Sequence, residues 1–422
     1  MPWLKTATIA AMGSASRSAR RGPVRVLFVH HRSELGGAPA SLTQLIRELD
    51  PSRFVAHVYC PAGQAAEMFA ETGAVVHTGT VAAFTHIWAS TYHGRRWLLL
   101  GRELSRLHAH LRGLRKVIDA HDFGLVHLND SPLIVAAWVA RRAGLPVVWH
   151  LRSALPPREG TRTRMLRAIV RRFGTASIAI NRDIADSFGV DSNVISNSVD
   201  LTTFRPGDSR AAREALGLPT DQIVIAFFGF IYPSKGFRDF IEAAALVRSR
   251  GADACYLIVG GPVRGEAYFL TVAGRIVRLL DLARNYDREA RELVVELDLE
   301  DRVHFVSFTP ETAQLYQASD VVVSPSRGPE LGRPVIEGAA CGRAIVASGS
   351  LSGGGILMPT ETGFLVPKRS PDVLAAALVE LIRDEPLRRR LGASARLFAE
   401  EHFDARRNAE RVMDVYEDVL AR

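Results

Sequence analysis

Cysteine is scarce, no apolar run is long, and no cluster of metal-ligand spacing appears; each shortage removes a class of protein. Only Cys60, Cys255 and Cys341 occur among 422 residues. They stand far apart in apolar surroundings, so they read as small buried hydrophobes and not as a disulfide framework. No stretch approaches the roughly 18 to 20 apolar residues of a membrane-spanning helix, and the amino terminus lacks an apolar core followed by a small-residue cleavage site. A cytoplasmic placement is therefore expected. No aspartate pair or Cys/His group has the spacing of a metal site, so no metal is expected. Basic segments without interleaved aromatics and without a reading module give no nucleic-acid partner. The first apolar strand is not followed by G-x-G-x-x-G, which counts against an ordinary dinucleotide-binding domain.

What is present is a large apolar fraction in alternation with helical patterns. At 47% hydrophobic residues, the chain has enough apolar side chains for two cores. β-rich runs at 24–30, 54–60, 74–77, 125–128, 146–150 and 176–180 alternate with helical periodicity, and a second series follows at 223–228, 254–259, 302–306, 321–323 and 344–347. Such alternation means βαβ units and parallel sheets. The fold class is α/β, with a first domain over 23–200, a polar linker within 197–210, a second domain over 201–403 and a last helix over 404–422. Residues 1–22 are small, polar and basic and read as disordered.

The net charge of +8 is unevenly spread. Between Tyr92 and Ile118, seven basic residues face Glu103 alone; between Leu155 and Thr175, six face Glu159 alone. A field so focused suggests an anionic partner, and a membrane surface touched through 92–118 and 155–175 is one. Leu100, Leu104, Leu107, Leu111, Leu114 and Ile118 recur at steps of four and three, which places them on one helix face, either core or membrane-facing.

The densest chemistry lies in VVVSPSRGPELGRPVIEGAACG, 321–342. An apolar strand leads into a turn-rich loop carrying Glu330, then a helix with Pro334 in its first turn and Glu337 further along. Carboxylates there can accept hydrogen bonds from sugar hydroxyls beside a helix N-terminus that favours phosphate. Taken singly, they read equally well as a solvated loop residue and a helix surface charge. Gly36-Gly37 follows the first strand and opens a helix, where a bare backbone can approach an anion or simply make a tight turn. Lys235-Gly236 follows the first strand of the second series, where a lysine can neutralise a departing diphosphate or merely be solvated. His150 ends a buried strand, a position that faces a cleft or holds a structural histidine.

Together these motifs resemble the retaining GT-B glycosyltransferases of the family 4 type, also called glycosyl transferases group 1. The matching positions are Gly36-Gly37-Ala38, Gly229 with Ile231, Lys235 and Gly236, then Glu330, Gly332, Glu337, Gly338, Ala340 and Gly342, with Asn197-Ser198-Val199-Asp200 as the hinge signature. Phe230 stands where the family has arginine, and six residues instead of seven separate Glu330 from Glu337. The resemblance implies two Rossmann-like, doubly wound parallel-sheet domains facing a cleft, with the last helix crossing back to the first domain. It implies a nucleoside diphosphate sugar as donor substrate, no separate cofactor, no metal, and a carbohydrate or lipid-linked acceptor in cell-envelope polysaccharide or glycolipid assembly. Lys235, Glu330 and His150 are the implied catalytic residues, and Gly36, Gly37, Gly229, Gly332 and Glu337 the implied nucleotide-sugar-binding residues. A sugar-nucleotide epimerase of the same fold and a catalytically weak sugar-nucleotide-binding relative are the alternatives.

Overall fold

The computed structural model describes residues 22–84, 98–155, 160–261, 266–279, 284–307, 309, 311–328, 331–349 and 355–422. The disorder expected over 1–22 thus falls almost wholly outside the described residues, as do Arg95, Arg96, Trp97 and Glu330.

Two parallel sheets carry the chain. The first contains β1 (Val24–Val29), β2 (Phe54–Cys60), β3 (Val75–Thr78), β4 (Phe123–Leu128), β5 (Val147–Leu151), β6 (Ala176–Ala179) and β7 (Asn193–Val194) in the order β3-β2-β1-β4-β5-β6-β7. The second contains β8 (Val224–Phe228), β9 (Cys255–Val259), β10 (Val303–Val306), β11 (Val321–Ser324), β12 (Ala344–Ser348) and β13 (Gly363–Val366) in the order β10-β9-β8-β11-β12-β13. Helices cover both faces of each sheet, which is why the central strands are continuous apolar runs instead of alternating ones. β8 and β9, for instance, are buried at every position. All three cysteines are buried in these cores.

Strand order reverses beside β1 and β4 in the first sheet and beside β8 and β11 in the second. At such a switch point the loops leaving the carboxyl ends diverge and open a crevice. The loop after β1 carries Gly36-Gly37 and the loop after β8 carries Gly229 to Lys235, so both motifs sit at switch points.

The chain crosses between the sheets twice, side by side. Val199 donates its N–H to the Phe403 carbonyl at 2.9 Å and bridges Asp404. Beyond that crossing, helix Ala405–Ala421 lays Ala409, Val412, Met413, Tyr416 and Val419 into the core of the first sheet, against Val26, Phe28 and Val58.

The leucine stripe of the long helix Leu98–Ala120 divides. Leu114 and Ile118 are buried, whereas Leu104 is 52% exposed, and Glu103 and His110 turn inward instead. The reason is a rotation of register: 103, 107, 110, 114 and 117 also repeat at steps of four and three. The polar members meet loop backbone, with Ala83 N–H donating to Glu103 at 3.2 Å and Ala82 N–H to His110 Nδ1 at 3.1 Å, while His110 Nε2 is buried without a hydrogen-bond partner.

Candidate active site

The second sheet supplies a floor of tightly apposed loops. Gly236 has φ 76°, a left-handed conformation, and a Cβ there would collide with the Pro325 carbonyl. Only glycine lets the turn Pro233–Lys235 close onto the loop after β11. Two further bonds strap the pair together, Arg327 N–H to Ser234 O at 2.8 Å and Ser326 Oγ to Ser234 O at 3.3 Å. Lys235 is exposed at the mouth of this assembly, and no described residue pairs with its ammonium.

Helix Arg333–Ala340 begins just beyond, with Gly332 as its N-cap and Pro334 in its first turn. Glu337 is 9% exposed, and both of its oxygens are held: Arg333 Nε and Nη2 reach Oε1 at 2.7 Å, and Tyr316 Oη donates to Oε2 at 2.7 Å. Tyr316 in turn stacks on Phe228 with ring centroids 3.7 Å apart. Burial and the neighbouring carboxylate drive the Tyr316 hydroxyl well above its ordinary pKa, so it stays a donor.

Arg333 is the residue that joins the two halves. Its Nη1 donates to Ser41 Oγ at 3.1 Å and to Ser198 O at 3.3 Å, and its aliphatic stem lies 3.7 Å from where a Gly37 Cβ would stand. The Phe230 ring stands 3.6 Å from the corresponding point on Gly36. The N-terminus of helix Gly37–Arg47 is therefore covered across the cleft by the Arg333 stem and the Phe230 ring, while the guanidinium itself is shared between Ser41 of that helix and Glu337. Arg327 is likewise committed to a carboxylate, Asp239, at 3.0 Å through Nε and through a second bond from Nη2.

On the first sheet, His150 is buried at the end of β5 and belongs to a relay of three side chains. Tyr416 Oη lies 2.7 Å from His127 Nδ1, and His127 Nε2 lies 3.2 Å from His150 Nδ1. Arg152 Nη2 approaches the same His150 Nδ1 at 3.4 Å. A guanidinium only donates, so His150 Nδ1 accepts and its hydrogen sits on Nε2. His127 then donates from Nε2 and accepts from Tyr416 at Nδ1. Burial first, and Arg152 second, hold both imidazoles well below the ordinary pKa of 6.5, so the relay is neutral. His150 Nε2 is buried without a hydrogen-bond partner, and His150 lines a small hollow together with Ser41, Arg152, Asn197, Ser198 and Asn408.

Arg152 is itself fixed, with Nε donating to Asn129 Oδ1 at 2.7 Å and Nη1 to Asn197 Oδ1 at 2.5 Å, and burial lowers its pKa to about 10. Asn129 also lies 2.9 Å from His30 Nδ1.

The structure thus gathers Lys235, Gly229, Gly332 and Glu337 on adjoining loops of one sheet, and Gly36 and Gly37 opposite them. His150 joins through Ser41 and Ser198, which line its hollow and bond Arg333. Glu330 lies outside the described residues. Motif reading did not single out Asn129, His127, Tyr316 and Tyr416. Asn129 could have been found from its place directly after a buried strand; the other three had no local signal.

Two family models cover most of the chain. The model Glycosyltransferase Family 4 matches residues 35–203, and Glycosyl transferases group 1 matches residues 208–398. The D-inositol 3-phosphate glycosyltransferase of Saccharomonospora viridis is 33% identical over 236 residues, 54% of this chain and 50% of that protein. The Rhodococcus opacus protein of the same name is 29% identical over 315 residues, 70% of this chain and 67% of its own. The chain spans about half to two thirds of the length of these curated relatives. Among solved structures, Anabaena HepE in complex with UDP-glucose matches with a TM-score of 0.75 at 22% identity, over 93% of this chain and 99% of its own. WaaG, a glycosyltransferase involved in lipopolysaccharide biosynthesis, matches with a TM-score of 0.67 at 14% identity, over 93% of this chain and 99% of its own. Likeness at such identities is one of fold, and it agrees with the two doubly wound sheets and the two sequence matches: the chain belongs to the GT-B glycosyltransferases, with a family 4 first half and a group 1 second half.

Proposed function

We propose that this protein transfers a sugar from a nucleoside diphosphate sugar to an acceptor with retention of anomeric configuration. The observation that carries this reading is the cross-cleft corner in which Arg333 lies against the Gly36-Gly37 helix start while holding Glu337. Nucleoside and diphosphate lie along the second sheet, with Glu337 taking the ribose hydroxyls. As the bond to the sugar breaks, Lys235 and the helix start at Gly37 stabilise charge on the leaving diphosphate, and this stabilisation grows toward the transition state. A diphosphate oxygen accepts the proton of the attacking acceptor hydroxyl. By its place in the motif Glu330 is assigned to the donor sugar, and His150 offers its neutral Nε2–H to the reacting centre. Added Mg²⁺ is not needed, because this chain's own cations balance the diphosphate.

The acceptor meets the first sheet. Its basic surface, from Arg102 to Lys116 and from Arg164 to Arg172, suits an anionic acceptor or one carried at an anionic lipid surface, as in envelope polysaccharide or glycolipid assembly. UDP-glucose is the first donor to try, since the HepE complex holds it, and D-inositol 3-phosphate is the first acceptor, since the relatives are named for it. Proton NMR of a reaction with donor and acceptor decides the stereochemistry. An α-linked product from an α-linked donor is expected; a β-linked product would replace retention with inversion. A new sugar nucleotide formed without acceptor would make the protein an epimerase.

A further inference from the structure

Away from the cleft, near the free edge of the first sheet, three histidines converge. His57 lies in β2, His77 in the edge strand β3, and His121 in the turn that enters β4. One nitrogen of each lies within 4.8 Å of those of the other two. His57 Nδ1 and His77 Nε2 are 3.0 Å apart, and their rings are nearly parallel at 13°. A tetrahedral Zn²⁺ with bonds of 2.0–2.1 Å separates neighbouring nitrogens by about 3.3 Å. The first pair, joined by a hydrogen bond, has nearly that spacing, and a His121 nitrogen stands within 4.8 Å of both.

His121 carries the outer bond typical of a bound histidine. Its Nδ1 lies 3.0 Å from the Val117 carbonyl, which can only accept, so the hydrogen is on Nδ1 and Nε2 keeps its lone pair. The Phe123 ring walls the inner side, 5.1 Å from His57 and 5.5 Å from His121. His77 and His121 are only half-buried, which leaves an entry path and room for water in a fourth position.

We propose that His57, His77 and His121 form a binding site for a divalent transition metal, Zn²⁺ by ligand type, that fastens the edge strand β3 to β2 and to the turn before β4. β3 has only four residues and pairs along one side alone, so such a clasp acts on a short edge strand. It takes no part in glycosyl transfer.

The test uses the full, tag-free chain, stripped by chelator and titrated with Zn²⁺ against a chromophoric chelator. One equivalent should bind, and His77→Ala and His121→Ala should each weaken it by at least about 100-fold, beyond the range for losing an outer bond alone. Zn²⁺ should raise the melting temperature of the wild type and of neither variant. No uptake by the wild type, or uptake by both variants as tight as that of the wild type, overturns the site. Should the variants fail to fold, imidazole NMR of the wild type decides: shifts confined to these three rings support the site, and shifts at other histidines refute it.

Discussion

Lys235 and Glu337 stand at the same cleft under opposite conditions, and their substitutions should fail differently. Lys235 is exposed and supports little packing. Lys235→Ala should leave the melting temperature nearly unchanged while lowering turnover roughly 100- to 1,000-fold, or about 2.7 to 4 kcal/mol of barrier. Near wild-type turnover would remove Lys235 from the site. Glu337 is buried and anchors both Arg333 and Tyr316. Glu337→Gln keeps the shape but weakens the ion pair, so donor affinity should fall more than turnover, since a ribose contact is made equally in ground and transition states. Calorimetric titration with UDP checks this, and unchanged affinity would refute the ribose role. Gly36, Gly37, Gly229 and Lys235 stood out in the sequence because they follow strands in turns marked by glycine. Tyr416 and His127, in contact across 289 residues of sequence, were not, because a hydrogen bond between distant segments leaves no local pattern.

Among the elements, the long basic helix tests how far periodicity can be read. Leucine spacing suggested one face; burial divides it, since Glu103 and one ring nitrogen of His110 accept from the loop backbone at 82–83. Leu114→Ala should cost about 2 to 5 kcal/mol, as a fully buried leucine. Leu104→Ala, half-exposed on the same stripe, should stay within about 0.5 kcal/mol. Urea denaturation compares them, and equal losses would mean that the stripe acts as one face. Eleven of the thirteen strands were legible, because buried parallel strands are mostly short unbroken apolar runs; β7 was not, since two residues make no run. Helix Ala405–Ala421 was legible as a helix, but its docking on the first sheet followed from resemblance, since an amphipathic stripe does not say which core it joins.

At the scale of the whole molecule, burial keeps many histidines uncharged. His30, His127 and His150 lie well below the ordinary 6.5, His57 and His110 at about 4, and His31 at about 3. The unfolded chain regains 6.5, so below that pH it binds more protons than the folded chain and stability falls. Above about 7 this loss is absent. Between 6.5 and 4 each such group can add up to about 1.4 kcal/mol per pH unit to the slope. The melting temperature should therefore drop steeply from pH 6.5 to pH 4.5, and a flat profile would mean that these rings charge freely in the folded state.

The central claim is that a nucleoside diphosphate binds between the sheets at the Arg333–Glu337 corner. Thermal unfolding with a panel of nucleoside diphosphates, run in parallel on the wild type and Glu337→Gln, tests it most directly. At 100 times its dissociation constant the preferred nucleotide should stabilise the wild type by about 2.7 kcal/mol, and the variant should show a clearly smaller shift at the same concentration. No shift with any nucleoside diphosphate, or equal shifts in both proteins, would contradict it.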